Sequence, residues 1–157
     1  MSTTEQELKK AIEFVRKTFA EKNIQLDYSP ESVKHLDKLF DQEFKNGKLK
    51  RPESSFAKYQ GLIMIGVSGY LAEVVLKNTS NTKLQIESND SNWYINFLVT
   101  ANNNLAIQPG KVVLARIQEG DKAELYKYTI YALNYFGTKT GEKAIEVPDK
   151  KPWWKFR

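Results

Sequence analysis

The feature that most constrains this chain is an apolar run over residues 61–76 that contains one charged side chain, Glu73. A helix that is apolar nearly all round is stable only inside a protein, and the run is shorter than the ~20 residues that a membrane span needs. Gly61, Gly66 and Gly69 lack bulk, although a glycine costs a helix about 1 kcal/mol relative to alanine. We therefore predict a buried central helix over residues 54–78, whose backbone another element approaches closely.

Length and composition limit the remaining possibilities. The chain has 157 residues, of which 41% are hydrophobic and none is cysteine, so we expect one domain and no thiolate chemistry. Its polar first residues lack the apolar stretch of a signal peptide. The net charge of +5 is within the ordinary range of soluble domains. We expect a soluble, cytoplasmic protein that does not associate with membranes.

An amphipathic helix opens the chain. Ser2, with Glu5 three residues later, has the pattern of a capping box, in which each side chain satisfies a free amide at the helix start. Apolar residues then recur at the spacing of one helical face, which predicts a first helix over residues 3–22. The apolar face consists of Leu8, Ala11, Ile12, Val15 and Phe19.

A second helix is predicted between the first helix and the central run. Ser29 followed by Pro30 has the pattern of a helix start, and Asn46 with Gly47 has the pattern of a helix end. The only histidine, His35, lies off the apolar stripe of this helix, so we expect it to face solvent.

The second half of the chain predicts a small sheet and two more helices. Alternating apolar and polar residues indicate short antiparallel strands, Pro109 and Gly120 bracket a fourth helix, and Asp121 with Glu124 forms the capping box of a fifth. This order indicates an α+β fold, in which N-terminal helices and a central buried helix pack on a small antiparallel sheet, followed by two further helices. The predicted strands are residues 84–87, 93–99, 105–107 and 144–147, and the single α+β domain spans residues 1–147, followed by a basic aromatic C-terminal tail at 148–157.

Several positions in the second half match a known pattern. A Gly-x-x-x-Glu sequence in the central helix precedes a tryptophan, and a proline-led helix with an Arg-Ile-x-x-Gly end follows. In this arrangement residues 55–136 resemble a group of small uncharacterised bacterial α+β domains. The resemblance implies this fold and a bacterial origin, and it implies no activity, because none is known for the group. The matching positions are Gly69, Glu73, Trp93, Pro109, Val113, Arg116, Ile117 and Gly120.

Glu73 is the first candidate site residue. A buried carboxylate is costly unless it pairs, protonates or reaches water, so we predict a structural ion pair or hydrogen bond with Arg116, Lys111 or a tyrosine. One alternative is a ligand-binding or acid–base carboxylate in a cleft between the central helix and the sheet, with Trp93 nearby. The other is exposure of Glu73 at the helix end. The candidate binding residues of this region are Tyr70, Glu73, Trp93 and Arg116.

The C-terminal tail is the second candidate site. It interleaves aromatic and basic side chains, a mixture that stacks on nucleic-acid bases or binds an anionic surface. Alternatively, its aromatic rings fold back onto the domain, because such large apolar side chains favour burial. The candidate binding residues of the tail are Lys150, Lys151, Trp153, Trp154, Lys155 and Arg157.

The residue inventory excludes several chemistries and leaves three functional hypotheses. A chain with one histidine and no cysteine lacks the usual zinc ligands, and it contains neither a Gly-x-Ser-x-Gly elbow nor a phosphate-binding Gly-Lys-Ser/Thr motif. We predict no metal or cofactor and favour a non-enzymatic domain that binds another protein, in an immunity or adaptor role. The alternative is nucleic-acid or anionic-ligand binding through the basic loop from Lys45 to Arg51 and the tail. An enzyme around Glu73 is the third hypothesis and requires a deep pocket there.

Overall fold

Helices and short strands alternate along the chain in the order that the α+β prediction requires. The computed structural model describes residues 2–101 and 105–138, so the predicted strand at 144–147 and the tail lie outside the described residues. In chain order the elements are α1 (Thr3–Ala20), α2 (Val33–Glu43), β1 (Phe44–Lys45), β2 (Lys48–Leu49), α3 (Ser55–Lys58), α4 (Gln60–Asn78), β3 (Thr82–Gln85), α5 (Trp93–Asn96), β4 (Leu98–Ala101), β5 (Ala106–Ile107), α6 (Pro109–Glu119) and α7 (Leu125–Phe136), with short 3₁₀ helices at Pro30–Ser32 and Gly120–Ala123.

Helix α4 occupies the centre of the domain, as predicted. α1 packs along it, and α6, α7, α5 and the three-stranded sheet contact it from other sides. Between Gly66 and Val75 every residue except Glu73 is buried. Among the described helices α4 alone is long and apolar enough to cross a membrane, yet 56% of that apolar window is buried within the protein. This is the environment of a core helix in a soluble protein.

Two glycines of α4 allow α1 to approach its backbone closely. A Cβ atom added at Gly66 would lie 2.3 Å from the carbonyl oxygen of Ala11, and one added at Gly69 would lie 2.7 Å from Cδ1 of Leu8. The predicted close approach is therefore confirmed, and α1 is the element that makes it. Gly61 differs from both, because a Cβ atom there would meet nothing within 4 Å.

The three-stranded sheet is antiparallel, in the order β3-β4-β5, and it packs against α4 through β3 and β4. Val99 at its centre is fully buried and lies opposite Leu84 on β3 and Ile107 on β5. Two of the predicted strands are thus present, with bounds that differ from the prediction by one to two residues at their ends.

The second predicted strand, over residues 93–99, is wrong in its first half. Trp93–Asn96 forms a single helical turn, and extended structure begins only at Leu98. The local cause is Asp90, whose carboxylate accepts hydrogen bonds from the amide of Asn92 and from Nδ2 of Asn96, each at 2.9 Å. Such bonds from a side chain stabilise a turn in competition with strand pairing.

Asn46 and Gly47 form a hairpin turn, and the prediction that they end a helix is wrong. α2 already ends at Glu43, and β1 pairs antiparallel with β2, so that Lys45 lies opposite Lys48. Asn46 has a φ of 52° and Gly47 a φ of 79°, and a two-residue type I′ turn requires positive φ at both positions. The basic loop of the sequence is therefore a β-hairpin.

Tyr59 divides the predicted central helix in two. Its φ of −114° and ψ of 26° leave the helical region, so the short helix α3 precedes α4 in place of one helix from residue 54. Ser54 caps α3, since its Oγ accepts a hydrogen bond from the amide of Ala57 at 3.1 Å. The interruption leaves Tyr59 41% exposed at the junction of the two helices.

Candidate functional site

An open groove lies between α1 and the segment that leads from α2 through α3 into α4. Its volume is about 670 Å³. Apolar side chains line it, and exposed charged side chains surround them. The apolar lining consists of Phe14, Val15, Phe19, Leu39, Phe56, Tyr59 and Ile63, and the charged surround includes Lys17, Glu21, Lys22, Arg51 and Glu53.

Aromatic rings form the mouth of this groove. Phe14 of α1 and Tyr59 meet edge to face, with ring centroids 5.4 Å apart, and Nζ of Lys58 lies 5.2 Å from the centre of the Tyr59 ring. Leu62, three residues after Tyr59, is 38% exposed. Phe14 on one wall of the mouth and Tyr59 on the other are therefore in contact with water, and so is Leu62 on the next turn of α4.

Glu43 supplies a buried carboxylate beside the groove, and this carboxylate already has partners. Its side chain is 5% exposed, Arg51 Nη2 donates to Oε1, and Ser54 Oγ donates to Oε2 at 3.0 Å. A buried carboxylate with a cation and a hydroxyl donor satisfies the requirement for pairing. These bonds fix the start of α3 against the end of α2, so Glu43 positions the wall of the groove.

Tyr70, one of the predicted binding residues, belongs to a separate buried cluster. Its hydroxyl accepts a hydrogen bond from the amide of Tyr28 at 2.8 Å and lies 2.6 Å from Oγ of Ser32. The rings of Tyr28 and Tyr70 stack at 5.1 Å, and Nδ2 of Asn78 donates to the carbonyl oxygen of Tyr28 at 3.0 Å. Tyr70 is fully buried, so it anchors the loop before α2 to α4.

Tyr28 is held by two cations as well as by Tyr70. Cζ of Arg16 lies 4.6 Å and Nζ of Lys77 lies 4.8 Å from the centre of its ring, distances at which cation–π attraction is effective. Its φ of 65° is uncommon for a bulky residue. The hydrogen bonds and ring contacts around Tyr28 therefore stabilise a strained backbone conformation.

The predicted ion pair or hydrogen bond of Glu73 with Arg116, Lys111 or a tyrosine is wrong, as is the prediction that Glu73 is buried. Glu73 is partly exposed, and the described residues provide no ion pair or hydrogen bond for its carboxylate. It shares a helix face with Tyr70 and Lys77, three residues before and four after. Burial raises the pKa of Tyr28, and the charge of Glu73 adds to that rise. Because the carboxylate reaches water, it avoids the cost of an unpaired buried charge.

Arg116 is instead buried between two other carboxylates. Its Nε donates to Oδ1 of Asp37 at 2.9 Å, and its Nη2 donates to Oδ1 of Asp41 at 2.6 Å. Arg116 is 3% exposed and joins α6 to α2. We call Arg116, Asp37 and Asp41 the clasp, and its role is structural.

Asp37 of the clasp also caps α7. The amides of Leu125 and Tyr126 both donate to its carboxylate at 2.8 Å. Burial raises the pKa of Asp37, while these two amides and the guanidinium favour its ionised form. The predicted capping box of Asp121 and Glu124 is wrong, since Glu124 makes no side-chain cap. A carboxylate from another helix takes its place.

The other predicted site residues do not join the groove. Trp93 lies in α5, partly exposed and edge to face with Tyr94 at 6.1 Å, and His35 is exposed on α2, as predicted. Within residues 2–101 and 105–138 no cluster of three potential metal ligands occurs. The tail candidates that lie outside the described residues are Lys150, Lys151, Trp153, Trp154, Lys155 and Arg157.

Phe14 and Tyr59, which form the mouth of the groove, were not predicted as site residues. The sequence contains one signal for Phe14, which lies about 120° from the centre of the apolar face of α1 at ~100° per residue. An aromatic ring so far from the buried face of a helix indicates a second contact surface. Tyr59 carries no such signal, because the interruption of the helix exposes it.

No family model, no curated protein and no solved structure matches this chain. The resemblance to small bacterial α+β domains therefore stays a prediction. A functional proposal has to start from the geometry of the groove.

Proposed function

We propose that this chain is a non-enzymatic bacterial domain that binds another protein in the cytoplasm, in an immunity or adaptor role. The observation that carries the proposal is the groove beside α1. It has a volume of about 670 Å³ and opens to solvent, with apolar side chains in its lining and charged side chains around them. Exposed apolar surface that is rimmed by polar residues is typical of protein interfaces.

The occupant that fits the groove is a large apolar side chain presented by a segment of the partner. Phe14 and Tyr59 already meet edge to face, and a further ring can continue that arrangement with favourable geometry. The volume lies within the range of about 300–1,000 Å³ that is typical of small-molecule pockets, so it has room for one such side chain. Two helices and the bonds of Glu43 hold the walls in place, so little ordering is needed on binding.

Catalysis is the less favoured use of this surface. The buried carboxylate beside the groove, Glu43, is bound by Arg51 and Ser54. Glu73, the centre of the enzyme hypothesis, does not line the groove and lies partly in water. An active site requires a positioned titratable group that can reach a bound substrate, and the buried carboxylate of this groove, Glu43, is already engaged by Arg51.

Selection of short random peptides with a fixed central tryptophan, displayed on phage against the full chain, tests the proposal. Enriched peptides are expected to bind Tyr59→Ser at least about tenfold more weakly, because an aromatic hot spot at the centre of an interface contributes about 2 kcal/mol or more and about 1.4 kcal/mol corresponds to tenfold. Tyr94→Ser is the matched control, since Tyr94 is 37% exposed and Tyr59 is 41% exposed. Unfolding in urea checks that both variants remain folded.

Two results would overturn the proposal. One is the absence of enriched peptides, and the other is equal affinity for the parent chain and for Tyr59→Ser. A parallel selection on a full-length chain that carries Trp153→Ala and Trp154→Ala addresses the tail. Peptides that are enriched only on this variant would assign the groove to the chain's own C-terminal residues and contradict a partner-binding role.

Nucleic-acid binding is the second candidate, and one observation favours it. Lys45 and Lys48 are cross-strand neighbours in the hairpin. Like charges in that position repel each other, and a bound phosphate would relieve the repulsion. Lys50 and Arg51 are already bonded, to the carbonyl oxygen of Asp41 and to Glu43. Fluorescence anisotropy with a labelled single-stranded oligonucleotide tests this role, which predicts steep weakening with salt and a further loss in a Lys45→Gln, Lys48→Gln variant.

A further inference from the structure

A second, shallower depression adjoins the groove on the other side of α1. Its volume is about 460 Å³, and it shares Phe14 and Lys17 with the groove. The loop residues Gln25 and Leu26 form its far edge. The two depressions thus make one continuous surface that crosses α1, longer than a single side chain requires.

The charges along this second depression are predominantly positive. Lys10, Arg16 and Lys17 line it, against one acid, Glu13. Glu13 accepts a hydrogen bond from Nη1 of Arg16 at 3.1 Å, and Nε of Arg16 donates to the carbonyl oxygen of Leu26 at 3.1 Å. Lys10 and Lys17 form no ion pair within the described chain, so their charges are available to a ligand.

These two lysines flank an aromatic ring on one line of α1. Lys10, Phe14 and Lys17 follow one another at the i, i+4, i+7 spacing of a single helix face. At 1.5 Å per residue, the line is about 10 Å long. The mouth of the groove lies at the middle of this line, because Phe14 contacts Tyr59 there. A segment that is anchored in the groove and runs along α1 therefore has one ammonium group on either side of its anchor.

We infer that the partner segment carries carboxylates beside its large apolar anchor, and that these carboxylates lie along α1 against Lys10 and Lys17. The inference rests on the proposed protein-binding function and names the chemistry of the segment that the groove receives. Charge complementarity at the edge of an apolar interface selects partners and accelerates their encounter. The net charge of +5 for the whole chain favours the same partner.

The groove itself distinguishes an acidic peptide from a nucleic acid. Three acids, Glu21, Glu43 and Glu53, line it beside three cations, Lys17, Lys22 and Arg51, so the groove has no excess of positive charge for a phosphate backbone. A phosphate backbone that entered the groove would carry a negative charge at every nucleotide past these carboxylates. A peptide backbone is uncharged. Its negative charges are confined to acidic side chains, which can lie beside the lysines and outside the groove.

The peptides from the tryptophan-anchored selection provide the probe. Enrichment of Asp and Glu is expected on both sides of the tryptophan, within the few positions that span about 6 Å in each direction at ~3.3 Å per extended residue. The affinity of these peptides for a Lys10→Gln, Lys17→Gln variant should fall about fivefold, since exposed ion pairs contribute modestly. A Lys9→Gln, Lys38→Gln variant is the matched control, because it makes the same change in net charge at exposed lysines that line neither depression.

Salt provides a second measurement on the same peptides. Raising the salt concentration from about 0.1 M to about 1 M shortens the Debye length from about 10 Å to about 3 Å. The affinity difference between the parent chain and the Lys10→Gln, Lys17→Gln variant should shrink accordingly, while the loss caused by Tyr59→Ser should remain.

The outcomes separate this inference from the proposed function. Peptides that need Tyr59 but show no acidic enrichment and bind the Lys10→Gln, Lys17→Gln variant normally would overturn the inference and leave protein binding intact. Peptides with equal affinity for the parent chain and for Tyr59→Ser would overturn both the inference and the proposed function. Displacement of groove-dependent peptides by a single-stranded oligonucleotide at lower concentration than by an acidic peptide would also overturn the inference, in favour of nucleic acid.

Discussion

The two ends of α4 are similar in composition and different in surroundings. Between Gly66 and Val75 the helix is enclosed by other elements, with only Glu73 partly in water. Between Gln60 and Ile65 only Ile63 is buried, and Leu62 is 38% exposed. Apolar composition therefore does not decide burial by itself. A residue is buried where a neighbouring element covers it, and the start of α4 is incompletely covered.

The packing of α1 explains where the cover ends. Gly66 and Gly69 face α1 and allow its backbone to approach. Ile63, three residues before Gly66, and Tyr59, just before the start of α4, place bulky side chains in the lining of the groove. Two helices that touch closely at glycines separate where large side chains follow. The groove lies between α1 and the side chains of Tyr59 and Ile63. The close contact of α1 at Gly66 and Gly69 therefore does not extend to the start of α4.

Matched leucine truncations in the two regions give the largest expected effect. Leu71 is fully buried and Leu62 is 38% exposed. Leu71→Ala should lower the free energy of unfolding by about 2–5 kcal/mol, the cost of an internal cavity, and Leu62→Ala should change it by about 0.5 kcal/mol or less. Urea unfolding followed by circular dichroism measures both. A loss for Leu62→Ala as large as that for Leu71→Ala would show that the start of α4 is covered in solution.

The second effect concerns the close contact with α1. Gly66→Ala should lower the free energy of unfolding by about 2 kcal/mol, because its new methyl group meets the backbone of α1 and overpacking of this kind typically costs 1–3 kcal/mol. Gly69→Ala is the control in the same contact. Its methyl group would meet the ends of the Leu8 and Ile12 side chains, which can move, so the loss should be smaller. A larger loss for Gly69→Ala than for Gly66→Ala would contradict this and place the tightest contact with α1 at Gly69.

The sequence predicted much of this fold because the main signals are local. The face of α1, the cap at Ser2 and the apolar run of α4 each depend on residues within a few positions of one another. The amide of Glu5 does donate to Oγ of Ser2, at 3.2 Å. Signals of this range survive without knowledge of the tertiary structure, and they were sufficient for the α+β class and the central helix.

The interactions that the sequence could not predict join distant parts of the chain. Asp37 caps α7 across 88 residues of sequence. Arg116 pairs with Asp37 on α2 and not with Glu73. Neither choice is visible in local spacing, because an arginine on α6 can reach several carboxylates until the packing of the helices is known. The groove is a product of that packing as well, and so Phe14 and Tyr59 were missed as site residues.

The hairpin at Asn46 and Gly47 is a different kind of error, because the signal was local and was misread. The same two residues end helices and form type I′ turns, since both structures need positive φ. The flanking residues decide between them. Phe44 and Leu49 are cross-strand partners, and apolar residues on either side of Asn-Gly indicate a hairpin more strongly than a helix end.

The smallest expected effect is at Gly61, and it has the opposite sign. In sequence Gly61 is indistinguishable from Gly66, but a Cβ atom at Gly61 would meet nothing within 4 Å. Gly61→Ala should therefore raise the free energy of unfolding by about 0.5–1 kcal/mol, the difference in helix propensity. A loss of stability in urea would mean that another element covers Gly61 and that the start of α4 resembles its centre. A gain, beside the loss for Gly66→Ala, would show that α1 covers only the second of these glycines and leaves the first beside an open surface.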